Sequence, residues 1–127
     1  MSEQPVDVLA RLTQMIASRK GADPASSYVA KLLSKAPDAA LKKVGEESAE
    51  FIMACKDAEH DANANANANA NANANANAKS RVTSEAADVW FHMLVAMSRF
   101  GVTGADVLIE LGKREGLSGI DEKASRQ

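Results

Sequence analysis

The sequence predicts an all-α protein, an antiparallel helical bundle completed by homo-oligomerisation as a dimer or tetramer. Apolar residues recur at intervals of three and four, the helical period, and apart from one low-complexity tract no stretch alternates as a strand would. Only 3 prolines and 4% aromatic residues occur in the 127-residue chain. Glycines, prolines and capping residues punctuate it at helix-length intervals.

Taken in order, Val6, Leu9, Leu12, Thr13 and Ile16 form the apolar stripe of a first helix over 6–19, ending near Arg19-Lys20-Gly21. Asp23-Pro24 reads as a cap followed by proline at the first helical position, opening a short helix through Tyr28, Leu32 and Leu33. Pro37-Asp38 breaks that helix and caps the next, expected from about Ala39 to Ala58. Gly45 in its interior lowers helix propensity and suggests close packing or close ligand approach.

Residues 62–78 are nine alanines alternating with eight asparagines. Neither face of such a segment supplies a core, so a low-complexity, disordered loop is expected. From Ser80 the helical pattern returns. Val82, Ala86, Val89, Met93, Ala96 and Phe100 form one stripe, and Ala87, Phe91, Leu94 and Ser98 a second. A helix apolar on two sides is buried on two sides, which in so small a domain calls for a partner chain. Gly101 ends this helix. Thr103-Gly104-Ala105-Asp106 opens a last one as a capping-box variant, expected to bury Val107, Leu108 and Leu111. Gly116 stops it, and a mobile tail is expected over 117–127, the whole chain forming a single domain.

A net charge of −2 offers no footprint for nucleic acid. No apolar run approaches membrane-spanning length, and the first residues lack a signal-peptide pattern. The single cysteine, Cys55, excludes an intramolecular disulfide and suits a reducing compartment, so a cytoplasmic location is expected.

The chemistry lies in two short motifs. Lys43-Val44-Gly45-Glu46-Glu47 is followed by Glu50, and Glu85-Ala86-Ala87-Asp88 echoes it, giving ExxE and then ExxD. Residues i and i+3 share a helix face, so each pair of acids projects together. Both pairs sit in apolar helices, where carboxylates without a cation are costly. Two such helices packed antiparallel would converge Glu47, Glu50, Glu85 and Asp88, a donor set suited to a hard divalent ion such as Mg2+. Lys43 lies one turn before Glu47 on the same side, where it can meet a phosphate or balance the acids. Glu46, at the edge of that face, is either a further ligand or a solvated partner. A solvated surface is the plainer reading of one such motif; the second motif weighs against it.

With these residues laid out, the chain resembles the phosphoribosyl-ATP pyrophosphatase family of histidine biosynthesis, within the MazG-like all-α NTP pyrophosphatase superfamily. The segments that carry the resemblance are Ser27-Tyr28-Val29-Ala30-Lys31-Leu32, Lys43 to Glu47 with Glu50, and Glu85 to Asp88 followed by Phe91-His92-Met93-Leu94-Val95. The resemblance implies hydrolysis of phosphoribosyl-ATP to phosphoribosyl-AMP and pyrophosphate, with Glu47, Glu50, Glu85 and Asp88 as Mg2+ ligands. Glu47 or Glu50 would accept the proton of the attacking water. Lys43, Lys31, Tyr28 and His92 are candidate substrate contacts, although Lys31 also reads as a surface charge and Tyr28 and His92 as packing residues. The resemblance further implies that the next step, a cyclohydrolase, resides on a separate chain. Two alternatives remain open: a house-cleaning NTP pyrophosphatase of the same superfamily, and a non-catalytic helical dimerisation module.

Overall fold

The computed structural model describes residues 5–35, 38–65, 72–116, 123 and 126. Five α-helices occur among them and no strand: α1 (Pro5–Ser18), α2 (Tyr28–Ser34), α3 (Asp38–Asn65), α4 (Ala72–Ser98) and α5 (Gly104–Lys113). None of these helices is long and apolar enough to cross a membrane.

The spine is the antiparallel pair α3 and α4, which has the most extensive packing in the chain. Near its tract end, Arg81 Nη2 donates to Asp57 Oδ2 at 2.8 Å across the pair. The helices α1 and α2 close the other end, burying Ile16, Val29 and Leu32 against Ala40, Leu94, Val95 and Ala96. Ile16 and Val95 are fully buried, each worth roughly 1.5–3 kcal/mol relative to exposure.

Helix ends are tied by side chains. Ser27, with extended backbone at φ −145°, accepts from Ala30 N and is the N-cap of α2. The expected start at Asp23-Pro24 is therefore displaced: Asp23 Oδ1 accepts from Ala25 N and its carbonyl from Ser26 N, forming a turn that does not continue. Gly101 adopts φ +69°. Its N–H bonds to Ser98 O and that of Val102 to Met97 O, the paired bonds of a Schellman stop. Lys20 Nζ also donates to Ser98 O at 2.6 Å, and Arg99 Nη1 to Leu33 O and Lys35 O at 3.0 and 2.9 Å. The capping box at Thr103 and Asp106 forms as expected. Beside it α5 crowds α1, since a Cβ on Gly104 would lie 2.7 Å from Leu9 Cγ.

Several expectations are corrected. The tract was expected to be a loop throughout 62–78, but α3 runs into it as far as Asn65 and α4 begins within it at Ala72. Alanine is the strongest helix former and both flanking helices are already nucleated, so the helices run on into the tract without a core, against the weaker propensity of asparagine. Residues 66–71 lie outside the described residues, as does the expected mobile tail apart from Lys123 and Arg126. A Cβ on Gly45 would meet nothing within 4 Å, so packing within the chain does not require that glycine. Val107, Leu108 and Leu111 are exposed in the single chain, as are Met93 and Phe100, while fully buried Val95 belonged to neither stripe.

Tract residues 75–77 are exposed and Ala78 is half-buried, and Asp57 and Arg81 meet across the two helices that flank the tract. Replacing 62–78 with a short Gly-Ser link is therefore expected to change stability by less than about 1 kcal/mol, because loop closure depends only weakly on length. Turnover should stay within about twofold of the parent. A large loss of activity would show instead that the tract covers the site.

Candidate active site

The ExxE motif lies in the middle of α3 and the ExxD motif in the middle of α4, so antiparallel packing brings them side by side. Glu47, Glu50 and Glu85 each offer a carboxylate oxygen within 4.8 Å of the others. Glu47 and Glu85 are half-buried and Glu50 is exposed. Glu47 Oε2 and Glu85 Oε2 are buried without a hydrogen-bond partner. Such atoms ordinarily carry a penalty, larger when charged, which a bound cation would relieve.

The electrostatics agree. Burial first, then a hydrogen bond and charge repulsion from Glu50, with Asp88 adding, push the Glu47 carboxyl above its ordinary value, against His92. Burial likewise raises Glu85, followed by the charges of Glu50 and Asp88 and a hydrogen bond to Glu50, with Arg81 opposing. Glu50 is thus the shared neighbour of the other two. Asp88 is exposed and acts on both electrostatically, but it is not among the residues whose ligand atoms converge. Its backbone carbonyl accepts the Nδ1–H of His92 at 2.8 Å.

The remaining candidates fall around this cluster. Glu46 stays outside it, paired with Lys43 at 3.2 Å and Lys42 at 4.0 Å. The hydrogen bond and charge of Glu46 raise the Lys43 ammonium, which stays cationic at the rim. Tyr28 reaches over from α2, its hydroxyl 2.8 Å from His92 Nε2. Burial raises the Tyr28 phenol, Lys43 opposing and Glu47, Glu46 and Asp88 adding, which sets it beside the acids. Lys31 is farther round, lining with Ser27, Tyr28 and Ser34 an open recess of about 650 Å³. Arg81 was missed from sequence, although its position one turn before Glu85 was the available signal; it acts on Glu85 and bonds Asp57.

A helical hairpin whose two arms bring carboxylates together around orphaned buried oxygens defines an all-α protein with an acidic cluster that could hold a metal ion. Comparison with known proteins takes this further. The family described as "Phosphoribosyl-ATP pyrophosphohydrolase" matches residues 9–115, and the chain belongs to that family of hydrolases. Among similar proteins is the phosphoribosyl-ATP pyrophosphatase of Bordetella parapertussis, 49% identical over 123 residues, covering 94% of this chain and 90% of the relative. Relatives of the same name from Acidovorax sp. and Methylibium petroleiphilum are 48% and 47% identical, over 95% of this chain in each case and 83% and 85% of their own lengths.

Proposed function

We propose that the chain hydrolyses phosphoribosyl-ATP to phosphoribosyl-AMP and pyrophosphate in histidine biosynthesis, with Mg2+ held by Glu47, Glu50 and Glu85 and Asp88 alongside. Family membership supports the substrate. The observation that supports the metal is the pair of buried, unpartnered oxygens on Glu47 and Glu85 within the converged carboxylates. When bound, the ion would offset the charge of the phosphates and of the departing pyrophosphate.

The chain's own groups supply the rest. Glu50 is the most exposed of the three converged acids and its carboxylate lies close to that of Glu47, so the two together can take and share the proton of an attacking water. Lys43 at the rim is placed to draw a phosphate toward the cluster, and Arg81 stands near Glu85 as a second cation. Pyrophosphate release from phosphoribosyl-ATP, measured with and without Mg2+ and against a panel of free NTPs, tests the reading. A preference for any free NTP would remove the substrate assignment, and release without a divalent ion would remove the metal.

The same reading includes a second copy of the chain. Ile52 and Met53 on α3, Trp90 and Met93 on α4 and Leu108 and Leu111 on α5 are exposed in the single chain, Trp90 at 66%. Trp90, Met93, Leu108 and Leu111 share an almost wholly apolar cleft of about 220 Å³. Soluble monomers rarely leave contiguous apolar surface of this kind open, and a two-fold partner would cover it. Light scattering at micromolar concentration is expected to give a multiple of the 13.4 kDa chain mass. A monomer with full activity would defeat this part of the reading.

A further inference from the structure

His92 is the single buried polar or charged side chain among the described residues, at 7% exposure. Both its ring nitrogens are committed, Nδ1 to the Asp88 carbonyl and Nε2 to the Tyr28 hydroxyl, each at 2.8 Å. A carbonyl oxygen can only accept, so Nδ1 carries a proton, and in the tautomer with that proton alone Nε2 is an acceptor. In that tautomer the Tyr28 O–H donates to His92. The imidazole is also held edge-on between two rings, Tyr28 at 5.8 Å and 87° and Phe91 at 5.3 Å and 85°.

The consequence falls on Tyr28. Its side chain is half-exposed and lines the recess with Ser27 and Lys31, beside the acid cluster. With its proton turned toward His92, the phenol oxygen presents lone pairs to whatever occupies that edge. Phosphate oxygens are themselves acceptors and gain nothing there, whereas a hydroxyl or amino group does. We propose that His92 is a positioning residue that fixes Tyr28 as a hydrogen-bond acceptor, and that Tyr28 thereby recognises a hydroxyl or amino donor on the ribosyl or base portion of the substrate. This inference rests on the substrate reading above. Lys43 and Lys31 remain for the phosphates. A purely structural Tyr28–His92 bond would tie α2 to α4 and have no effect on ligand selection.

The test measures KM and kcat for phosphoribosyl-ATP together with the inhibition constant of inorganic pyrophosphate, which has no ribosyl or base portion. Tyr28→Phe and His92→Leu are each expected to raise KM roughly tenfold, the loss of one well-placed hydrogen bond. The value of kcat should stay within about twofold, because the contact is made equally in ground and transition states. The double variant should be no worse than either single one, since the two residues act as a unit. His92→Gln, whose amide oxygen can accept the Tyr28 proton, should recover most of the affinity, and the pyrophosphate constant should not move in Tyr28→Phe. An unchanged KM in Tyr28→Phe overturns the proposal, as does a pyrophosphate constant that weakens in step with KM or a fall confined to kcat. If His92→Leu fails to fold, Tyr28→Phe and His92→Gln still decide. A parent protein inactive on phosphoribosyl-ATP would reveal itself before any substitution and would defeat the substrate reading, and this inference with it.

Discussion

Glu47→Gln, Glu50→Gln and Glu85→Gln are each expected to lower turnover on the order of 10²–10³-fold while the metal-free protein melts no lower than the parent. The two halves of this expectation have one cause. Glu47, Glu50 and Glu85 each place a carboxylate oxygen within 4.8 Å of the others, and Glu47 and Glu85 each have an oxygen buried without a partner. Like charges this close repel, and burial compounds the penalty, so each acid strains the metal-free fold. An amide in place of Glu47 or Glu85 removes one charge and can donate to Glu50, whose carboxylate lies close to both. The same amide is a poorer ligand and accepts no proton, so the chemistry suffers where the fold does not. Asp88→Asn belongs to the series with a smaller expected effect, because its carboxylate acts on the cluster from outside the converged set. Turnover and melting temperature measured on the same preparations check both halves. A marked loss of metal-free stability in each variant would show that the acids hold the fold together and are not held there for a cation.

The helical class and the pairing of the two acidic motifs were legible from sequence because both depend on local periodicity. The motifs sit on long helices at i and i+3, and antiparallel packing follows from a hairpin connection. What sequence misplaced was decided by partners distant in the chain or by another molecule. The α2 start moved because Asp23 and Ser27 both carry capping chemistry, and only Ser27 precedes a turn that packs, through Val29 and Leu32, into the core. The ends of α3 and α4 moved into the tract because its composition was read for burial, while alanine propensity and the flanking helices govern its backbone. Val95 escaped both apolar stripes because the face of α4 that turns inward is set by α1 and α2. The exposure of Val107, Leu108 and Leu111 has a different origin, since an apolar pattern reports burial without saying whose surface provides it. His92 and Tyr28 could be suspected from sequence, but 64 residues separate them and nothing in the spacing announces their bond.

Removal of divalent metal is expected to abolish turnover and to lower the melting temperature, and the size of the second effect should depend on pH. At a Mg2+ concentration 100 times its Kd, binding to the folded state alone adds about 2.7 kcal/mol. For a domain of this size that corresponds to a rise of roughly 5–15 °C in Tm. Protons compete for the same oxygens. Glu47 and Glu85 have folded-state pKa values raised above the ordinary 4.5, by burial first and by Glu50 next. Without metal, the folded state therefore holds more protons than the unfolded chain between 4.5 and the raised values. Their contribution to stability is fully present below 4.5 and is lost as pH rises through the folded-state values. Mg2+ binds the ionised carboxylates, so its stabilising increment should be small at the acid end of that window and grow across it. Melting curves with EDTA and with excess Mg2+, taken from pH 4 to 8 on the parent and on Glu47→Gln, separate this contribution from the other titrating groups. The parent should lose metal-free stability with rising pH more steeply than the variant, and should gain more from Mg2+ at neutral pH. An increment from Mg2+ that is the same at pH 4 and pH 7, or that survives Glu47→Gln undiminished, would place the ion somewhere other than among these acids.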